Sequence, residues 1–132
     1  MESLTYLSSE EAIRFHADTL GLTWEQATNH LLGGGMDKLE SALARPRQYA
    51  AYTDADLAMQ AAVLAHGIVE AHAFQDGNKR TAHVALRVFL AANGYAVSAS
   101  QQERAAWLLR LARGETVEDI AAAIRRSLVP LA

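Results

Sequence analysis

The stretch of sequence that decides the fold reads His72-Ala73-Phe74-Gln75-Asp76-Gly77-Asn78-Lys79-Arg80-Thr81. Two of the most apolar stretches in the protein flank it, Leu57 to Ala71 before it and Ala82 to Ala92 after it. Both flanks are apolar nearly all round, which predicts two buried helices. Polar groups are costly inside a core. The ten residues are therefore predicted to form a functional loop between two central helices.

The second flank predicts an anion site. Asp76, Gly77 and Asn78 are residue types favoured at helix N-caps, so we expect a helix to begin near Asn78 and to point free backbone N–H groups into the loop. Gly77 lets a phosphate approach the backbone closely. Lys79 and Arg80 add cationic donors. Together these residues predict a phosphate-binding site.

Two further residues of the stretch suit proton and metal chemistry. Asp76 is one carboxylate among cations, and it suits a Mg²⁺ ion whose other ligands are phosphate oxygens and waters. His72 is the predicted proton acceptor, because the unperturbed pKa of imidazole, about 6.5, suits neutral pH. Phe74 is expected to anchor the loop in the core and so to fix the position of His72. The combination predicts nucleotide-dependent group transfer to a hydroxyl.

Composition limits the class of protein. The 132 residues are 51% hydrophobic, which predicts one folded domain over residues 1–132. A net charge of −3 argues against a nucleic-acid binder, and the lack of cysteine excludes disulfides, zinc thiolate sites and thiol catalysis. Glu2 is not followed by the apolar region of a signal peptide. No stretch has the roughly 18 apolar residues that a membrane span needs. We expect a soluble cytoplasmic protein without a membrane partner.

Capping pairs predict where the other helices begin, namely Ser8 with Glu11, Thr23 with Gln26, Ser100 with Glu103, and Thr116 with Asp119. These helices are predicted to end at about Leu20, Leu32, Arg113 and Leu128. Asp37 is predicted to cap a further helix that Pro46 ends, and Asp54 or Asp56 to start the first central one. Asn93-Gly94 is predicted to end the second, before an extended Tyr95 to Val97. Gly33-Gly34-Gly35 is interpreted as a flexible connector. The fold class is all-α, a bundle of six to seven helices.

The central stretch resembles the Fic/Doc signature His-x-Phe-x-(Asp/Glu)-Gly-Asn-(Gly/Lys)-Arg, and Lys79 matches its Doc form. Three further segments are similar to Doc-like proteins: Leu39-Glu40-Ser41-Ala42-Leu43-Ala44-Arg45-Pro46, Tyr6-Leu7-Ser8, and Phe89-Leu90-Ala91-Ala92-Asn93-Gly94-Tyr95. The resemblance covers nearly the whole chain in the family's order. It implies a compact Fic/Doc (Fido) bundle with the motif loop between two buried central helices.

The resemblance also implies an activity and roles for residues. It implies a bacterial toxin that transfers the γ-phosphate of ATP to a protein hydroxyl, with elongation factor Tu as the family precedent and a block of translation as the result. His72 would be the base and Asp76 the Mg²⁺ ligand. The backbone from Gly77 to Lys79, with Asn78 and Arg80, would bind phosphate.

A second implied region lies between Arg45 and Asp56. In the family the corresponding segment is a flap that aligns the backbone of the target protein by strand addition. The resemblance would place Arg47, Tyr49 and Tyr52 in this target flap. Without the motif, the same segment would be interpreted as an ordinary surface loop.

Two alternatives stay open. Many AMP-transferring Fic proteins read Gly-Asn-Gly-Arg-x-x-Arg, and Lys79 and His83 depart from that pattern; an AMP transferase nevertheless remains the second hypothesis. A catalytically silent binding module is the third. No glutamate is followed by glycine or asparagine, so the self-inhibitory Fic helix motif is absent. We therefore expect inhibition in trans by a Phd-type antitoxin whose disordered tail folds on the toxin.

The remaining charged residues receive structural interpretations. His66 and Glu70 stand four residues apart and are interpreted as a structural pair. His16 and His30 are assigned no role. The arginines of the last two helices are predicted to form a solvated face: Arg104, Arg110, Arg113, Arg125 and Arg126.

Overall fold

A computed structural model describes residues 4–131. Within these residues the chain forms seven helices and a two-stranded sheet. Their order is α1 (Ser9–Leu20), α2 (Trp24–Asn29), α3 (Gly35–Thr53), α4 (Leu57–Ala71), α5 (Asn78–Ala92), β1 (Tyr95–Val97), α6 (Gln101–Ala112), α7 (Val117–Ser127) and β2 (Leu128–Pro130). The predicted all-α class is confirmed.

Local side-chain caps explain why five helices begin where they do. Complete capping boxes open α1, α2 and α6, and Thr116 caps α7 by accepting from the Asp119 N–H. Asp56, not Asp54, caps α4, accepting from the Met59 N–H at 2.9 Å. These contacts span three residues, so they were predictable from sequence.

The core is built around α4, which packs against α3, α5, α6 and α7. Ten of its fifteen residues are buried, in agreement with the prediction of a central helix. Gly67 permits the close approach of α3, since a Cβ there would lie 3.2 Å from the Cβ of Ala42. The loop from His72 to Gly77 joins α4 to α5, of which six of the fifteen residues are buried. The prediction of a helix buried nearly all round is therefore confirmed for α4 but not for α5, which buries one face.

The prediction that Pro46 ends the third helix is wrong. Helix α3 continues through Pro46 to Thr53, and Asp54 forms its left-handed C-cap. Pro46 has no N–H for the carbonyl of Ala42, which is a real cost. It is nevertheless buried with Leu39, Ala42 and Leu43 on the face that packs against α4. Burial of this continuous apolar face outweighs the local preference to stop.

The triple glycine is not a flexible connector. Gly34 is the N-cap of α3 in the left-handed region (φ 77°), so the predicted cap at Asp37 is wrong. Gly35 is buried, and a Cβ there would overlap the carbonyl oxygen of Ala73 in the motif loop. The segment between α2 and α3 is therefore packed against the motif.

Helix α2 also ends earlier than the predicted Leu32. It stops at Asn29, because the next residues pair with the motif loop instead of continuing the helix. Leu31 and Phe74 form an isolated antiparallel bridge. The local helix signal carried no information about this distant partner.

The C-terminal end of the described chain returns to the end of α5. Strand β2 pairs antiparallel with β1, with Tyr95 opposite Pro130 and Val97 opposite Leu128. The extended segment at Tyr95 to Val97 was predicted; its partner strand, which begins at Leu128 where the last helix was predicted to end, was not.

The predicted solvated arginine face is wrong for one of its five members, Arg104; the others lie at the surface, two of them in exposed ion pairs. Arg125 makes a bidentate pair with Asp56, at 2.7 and 2.9 Å, which ties α7 to the start of α4. Arg110 pairs with Glu115, and Arg104 bonds inside the fold, as described below. Arg113 and Arg126 are exposed, as expected.

Over residues 4–131, no helix combines the length and the apolar content that crossing a membrane would require.

Candidate active site

His72 ends α4 and begins the motif loop. It adopts a left-handed conformation (φ 45°, ψ 45°), which is uncommon outside glycine. This conformation turns the chain sharply out of the helix, as a C-terminal glycine usually does. The next two residues, Ala73 and Phe74, are buried, whereas His72 is exposed. The imidazole is thus at the surface on a rigidly anchored backbone.

Asn78 holds the loop closed. Its side-chain amide donates to the carbonyl of Phe74 at 2.8 Å, and its side-chain oxygen accepts from the Phe74 N–H at 3.1 Å. The Phe74 ring is 1% exposed, so the predicted anchoring role agrees with its burial. Asn78 is the first residue of α5 rather than its cap, and both of its polar groups serve the loop.

Asp76 does not cap α5, contrary to the prediction. Its Oδ1 accepts from the N–H of the adjacent Gly77 at 2.8 Å, and Gly77 itself occupies the N-cap position at φ 75°. The predicted start of the helix at Asn78 is confirmed. A side chain at Gly77 would meet Leu20, whose Cδ1 would lie 2.8 Å from the new Cβ. The left-handed conformation therefore favours glycine here, whereas the contact with the end of the flexible Leu20 side chain could be relieved by a shift.

The N-terminus of α5 is left open to a ligand. No side chain caps it, and its first helical backbone bond runs from the Thr81 N–H to the Gly77 carbonyl at 2.9 Å. The N–H groups of Asn78, Lys79 and Arg80 precede that bond and have no intrahelical acceptor. The positive end of the helix dipole and these N–H groups favour an anion at this position.

The charged side chains of the motif form no ion pair within residues 4–131. The four ion pairs among residues 4–131 join Arg14 to Glu10, His66 to Glu70, Arg110 to Glu115 and Arg125 to Asp56. None of them includes a motif residue. Lys79, Arg80 and Asp76 are exposed beside the open end of α5. They are therefore accessible to a ligand.

Asp76 fits a Mg²⁺ ion only together with a ligand. No group of three or more His, Asp or Glu side chains in the described part of the chain is arranged to hold a metal. Mg²⁺ commonly takes one or two carboxylates, waters and substrate phosphates. One exposed carboxylate beside a predicted phosphate position matches that donor set.

A buried polar array behind the motif was missed at the sequence level. His16 is fully buried, and its ring stacks on Phe74 with centroids 3.8 Å apart and planes 10° apart. Its Nδ1 lies 3.0 Å from Thr81 Oγ1, and its Nε2 lies 3.1 Å from His30 Nδ1. No local signal distinguishes His16 from any other histidine on an amphipathic helix.

His83 faces a guanidinium rather than solvent. Arg104 donates from Nε to His83 Nε2 at 3.1 Å and from Nη1 to the carbonyl of Ala99 at 2.8 Å. Burial, then the positive charges of Arg104 and Arg87, lower the pKa of His83. His83 is therefore a neutral hydrogen-bond acceptor at physiological pH. Through Arg104, α6 also brings a guanidinium to the second turn of α5.

The residues predicted for a target flap lie on a helix. Arg47, Tyr49 and Tyr52 belong to the second half of α3, so this segment is a helix rather than a surface loop and offers no free strand edge for the implied strand addition. A role of these side chains in contacting a target stays a prediction. The Arg47 guanidinium lies 4.6 Å from the centre of the Tyr6 ring. Tyr49 and Tyr52 line an open cavity of about 660 Å³ between α3, α4 and the start of α7.

The segment whose backbone pairs with the motif loop is His30 to Leu32, with an isolated bridge between Leu31 and Phe74. The Gln75 N–H donates to the His30 carbonyl at 2.8 Å, and the Leu32 N–H donates to the Ala73 carbonyl at 2.9 Å.

The interpretation of His66 and Glu70 as a structural pair agrees with the distance of 3.4 Å between His66 Nε2 and Glu70 Oε1.

Comparison with protein families supports the motif. The model of the Fic/DOC family matches residues 6–90, which is more than half of the chain and includes the whole stretch from His72 to Thr81. Comparison with curated proteins finds no match. Fic/DOC proteins generally modify protein targets with nucleotides, which points to a transferase. The chain belongs to the Fic/DOC family.

Proposed function

We propose that this protein is a Doc-type toxin that transfers the γ-phosphate of ATP to a hydroxyl of a bacterial protein. The observation that carries the proposal is the uncapped N-terminus of α5, preceded in the motif loop by an exposed imidazole and an exposed carboxylate that form no ion pair in the described residues. A phosphate on the free N–H groups would be near the exposed Lys79 and Arg80, which follow Gly77 directly in the sequence. Phosphoryl transfer relies mainly on such positioning and charge.

The proposed step uses His72 as the base. Its imidazole accepts the proton of the target hydroxyl, and the resulting oxygen attacks the γ-phosphorus of ATP. The bond from that phosphorus to the bridging oxygen breaks, and ADP leaves. General-base assistance of this kind contributes typically about 10²–10⁴-fold in rate. The exposed position of His72 suits a protein substrate, which cannot enter a deep cavity.

Asp76, Asn78 and Arg80 have separate roles in this proposal. Asp76 would hold Mg²⁺, which supplies neutralisation of the phosphate charge when it is bound. Asn78 keeps the loop and the helix start in one unit through its two bonds to Phe74. Arg80 and Lys79 would contact phosphate oxygens. The backbone from Gly77 to Lys79 would supply uncharged donors to the same group.

AMP transfer is the second candidate, and one observation favours it. Arg104 places a guanidinium on His83, the position at which AMP-transferring Fic proteins carry their second arginine. Lys79 favours phosphate transfer. The two chemistries share every site residue and differ in which end of the nucleotide lies over α5.

The experiment that tests the proposal is intact mass measurement of purified elongation factor Tu after incubation with this protein, ATP and Mg²⁺. One added phosphate, absent with His72→Ala, would support phosphate transfer to that target. One added AMP would reverse the chemistry and keep the site. If induction of the wild-type chain leaves no phosphorylated or AMP-modified cellular protein, or if His72→Ala leaves its phenotype unchanged, a silent binding module becomes the better account.

The toxin role implies a partner. We infer inhibition in trans by a Phd-type antitoxin in the bacterial cytoplasm, because the chain lacks the self-inhibitory glutamate motif. Expression of the wild-type gene alone should then arrest growth, and co-expression with the neighbouring antitoxin gene should restore it. High-level expression of the active chain without toxicity would contradict this inference.

A further inference from the structure

Three side chains are the only polar ones that are buried within residues 4–131, namely His16, Gln60 and Thr81. Two of them, His16 and Thr81, contact each other directly behind the motif. Buried polar groups are costly compared with apolar residues of the same size unless they are fully hydrogen-bonded. The position of this buried polar pair directly behind the motif therefore indicates a role beyond filling the core.

His16 contacts both halves of the site. Its ring stacks on Phe74, whose backbone is held by Asn78 and lies between His72 and Asp76 in the loop. Its Nδ1 lies 3.0 Å from the hydroxyl of Thr81, in the first turns of α5. One imidazole thus connects the loop that carries the proposed base with the helix that carries the proposed phosphate donors.

The other ring nitrogen extends the connection to a third segment. His16 Nε2 lies 3.1 Å from His30 Nδ1, and the carbonyl of His30 accepts from the Gln75 N–H at 2.8 Å. A neutral imidazole has one donor and one acceptor nitrogen, and the hydroxyl of Thr81 can rotate to match either one. Every polar group of the array therefore has a partner, in agreement with the absence of unsatisfied buried side-chain atoms in the described residues.

We propose that His16, acting with Thr81, is a positioning residue that sets the distance between the loop carrying His72 and Asp76 and the open N-terminus of α5. The inference rests on the transfer function proposed above and extends it to a residue outside the motif. His16 touches neither substrate nor nucleotide in this proposal. It acts through Phe74 on one side and through Thr81 on the other.

The test compares variants that separate the two contacts. His16→Phe keeps an aromatic ring for stacking on Phe74 and removes both hydrogen bonds, and Thr81→Val removes only the hydroxyl. Thr81→Ser restores the hydroxyl. Gln60→Leu is the matched control, since Gln60 is equally buried and bonded to Tyr6 and Ala55 but does not contact the motif.

The readouts are kcat, KM for ATP and the melting temperature of each variant, with activity measured well below that temperature. We expect His16→Phe and Thr81→Val each to lower kcat about 10–100-fold, because a misplacement of about 1 Å in an active site can cost about 100-fold. Thr81→Ser should recover most of the loss. The double variant should be no worse than the more impaired single one, since both break the same contact. Gln60→Leu should lower the melting temperature and leave kcat within about twofold of the wild type.

The opposite pattern would overturn the inference. If His16→Phe and Thr81→Val lower only the melting temperature, as Gln60→Leu does, then His16 has a structural role alone. Independent, multiplicative losses in the double variant would also contradict it.

A second measurement separates this inference from the proposed transfer reaction. Amide hydrogen exchange of Gln75 and Thr81 reports the geometry of the loop and helix without any assay of activity. Faster exchange at these amides in His16→Phe but not in Gln60→Leu would support the positioning role even if the wild type modified no target. Unchanged exchange at both amides would refute it, whatever the reaction is.

Discussion

Acidification should destabilise this protein through one buried histidine. Burial, reinforced by the nearby His30 and opposed by Asp76, lowers the pKa of His16 from 6.5 to about 4. Between these two pH values the unfolded chain binds a proton at His16 that the folded chain does not. The contribution is therefore constant above about pH 6.5, and stability falls as the pH is lowered towards 4.

The size of the effect follows from the two pKa values. One pKa unit corresponds to about 1.4 kcal/mol, so the free energy of unfolding should fall by about 2 kcal/mol between pH 7 and pH 5, and by about 3 kcal/mol by pH 4. A typical domain is stable by about 5–15 kcal/mol. The expected loss is thus a large fraction of the total.

The assay is urea unfolding followed by far-UV circular dichroism at pH 7 and pH 5. His16→Phe lacks the titrating group, so its own loss over this interval should be about 2 kcal/mol smaller than that of the wild type. Gln60→Leu removes a buried polar group that does not titrate and should keep the full wild-type pH dependence. An equal loss in the wild type and in His16→Phe would refute the reasoning, because another group would then carry the acid sensitivity.

Two further predictions concern contacts that support the site and the bundle. Gly35→Ala should lower the free energy of unfolding by about 1–3 kcal/mol and weaken ATP binding, because the new methyl group would overlap the carbonyl of Ala73 in the motif loop. The ATP affinity is measured by calorimetric titration, and an unchanged affinity would contradict this prediction. Asp56→Asn should keep the helix cap and lose the ion pair with Arg125, at a cost of about 1 kcal/mol or less because the pair is exposed. The hydrogen bond from Arg125 lowers the pKa of Asp56, so this contribution is present above about pH 3.8 and is lost as the pH falls through the lower folded-state pKa. Urea unfolding at a series of pH values below 3.8 should therefore show the difference between this variant and the wild type shrinking as the pH falls.

Much of the site was predictable because its signals are local. His72, Asp76 and Arg80 follow one another within nine residues, and a helix start next to cations indicates a phosphate site in any sequence. All three side chains are exposed, and the first N–H groups of α5 are left uncapped. The predicted cap at Asp76 is wrong because its carboxylate accepts from the N–H of the adjacent Gly77 and not from an N–H of α5.

Residues outside the motif were not predictable in the same way. The sequence predicts that Arg104 is a surface residue on α6, but its side chain donates a hydrogen bond to His83 on α5, 21 positions earlier. His16 stands 65 positions before Thr81, and nothing within α1 indicates that contact. Hydrogen bonds between such distant positions depend on how helices pack, which a periodic pattern along one helix does not contain.

The sequence by itself determined the starts of the helices other than α3, the burial of α4 and the position of the motif, since each is indicated by residues within a short segment. The tertiary structure alone decided that α3 passes through Pro46, that Gly35 is packed against the loop and that His16 lies behind the proposed base. In each of these cases a local preference was outweighed by contact with a distant segment. The physical reason is that burial and close packing act between elements, and their free energy exceeds that of a single helix stop or a single exposed side chain.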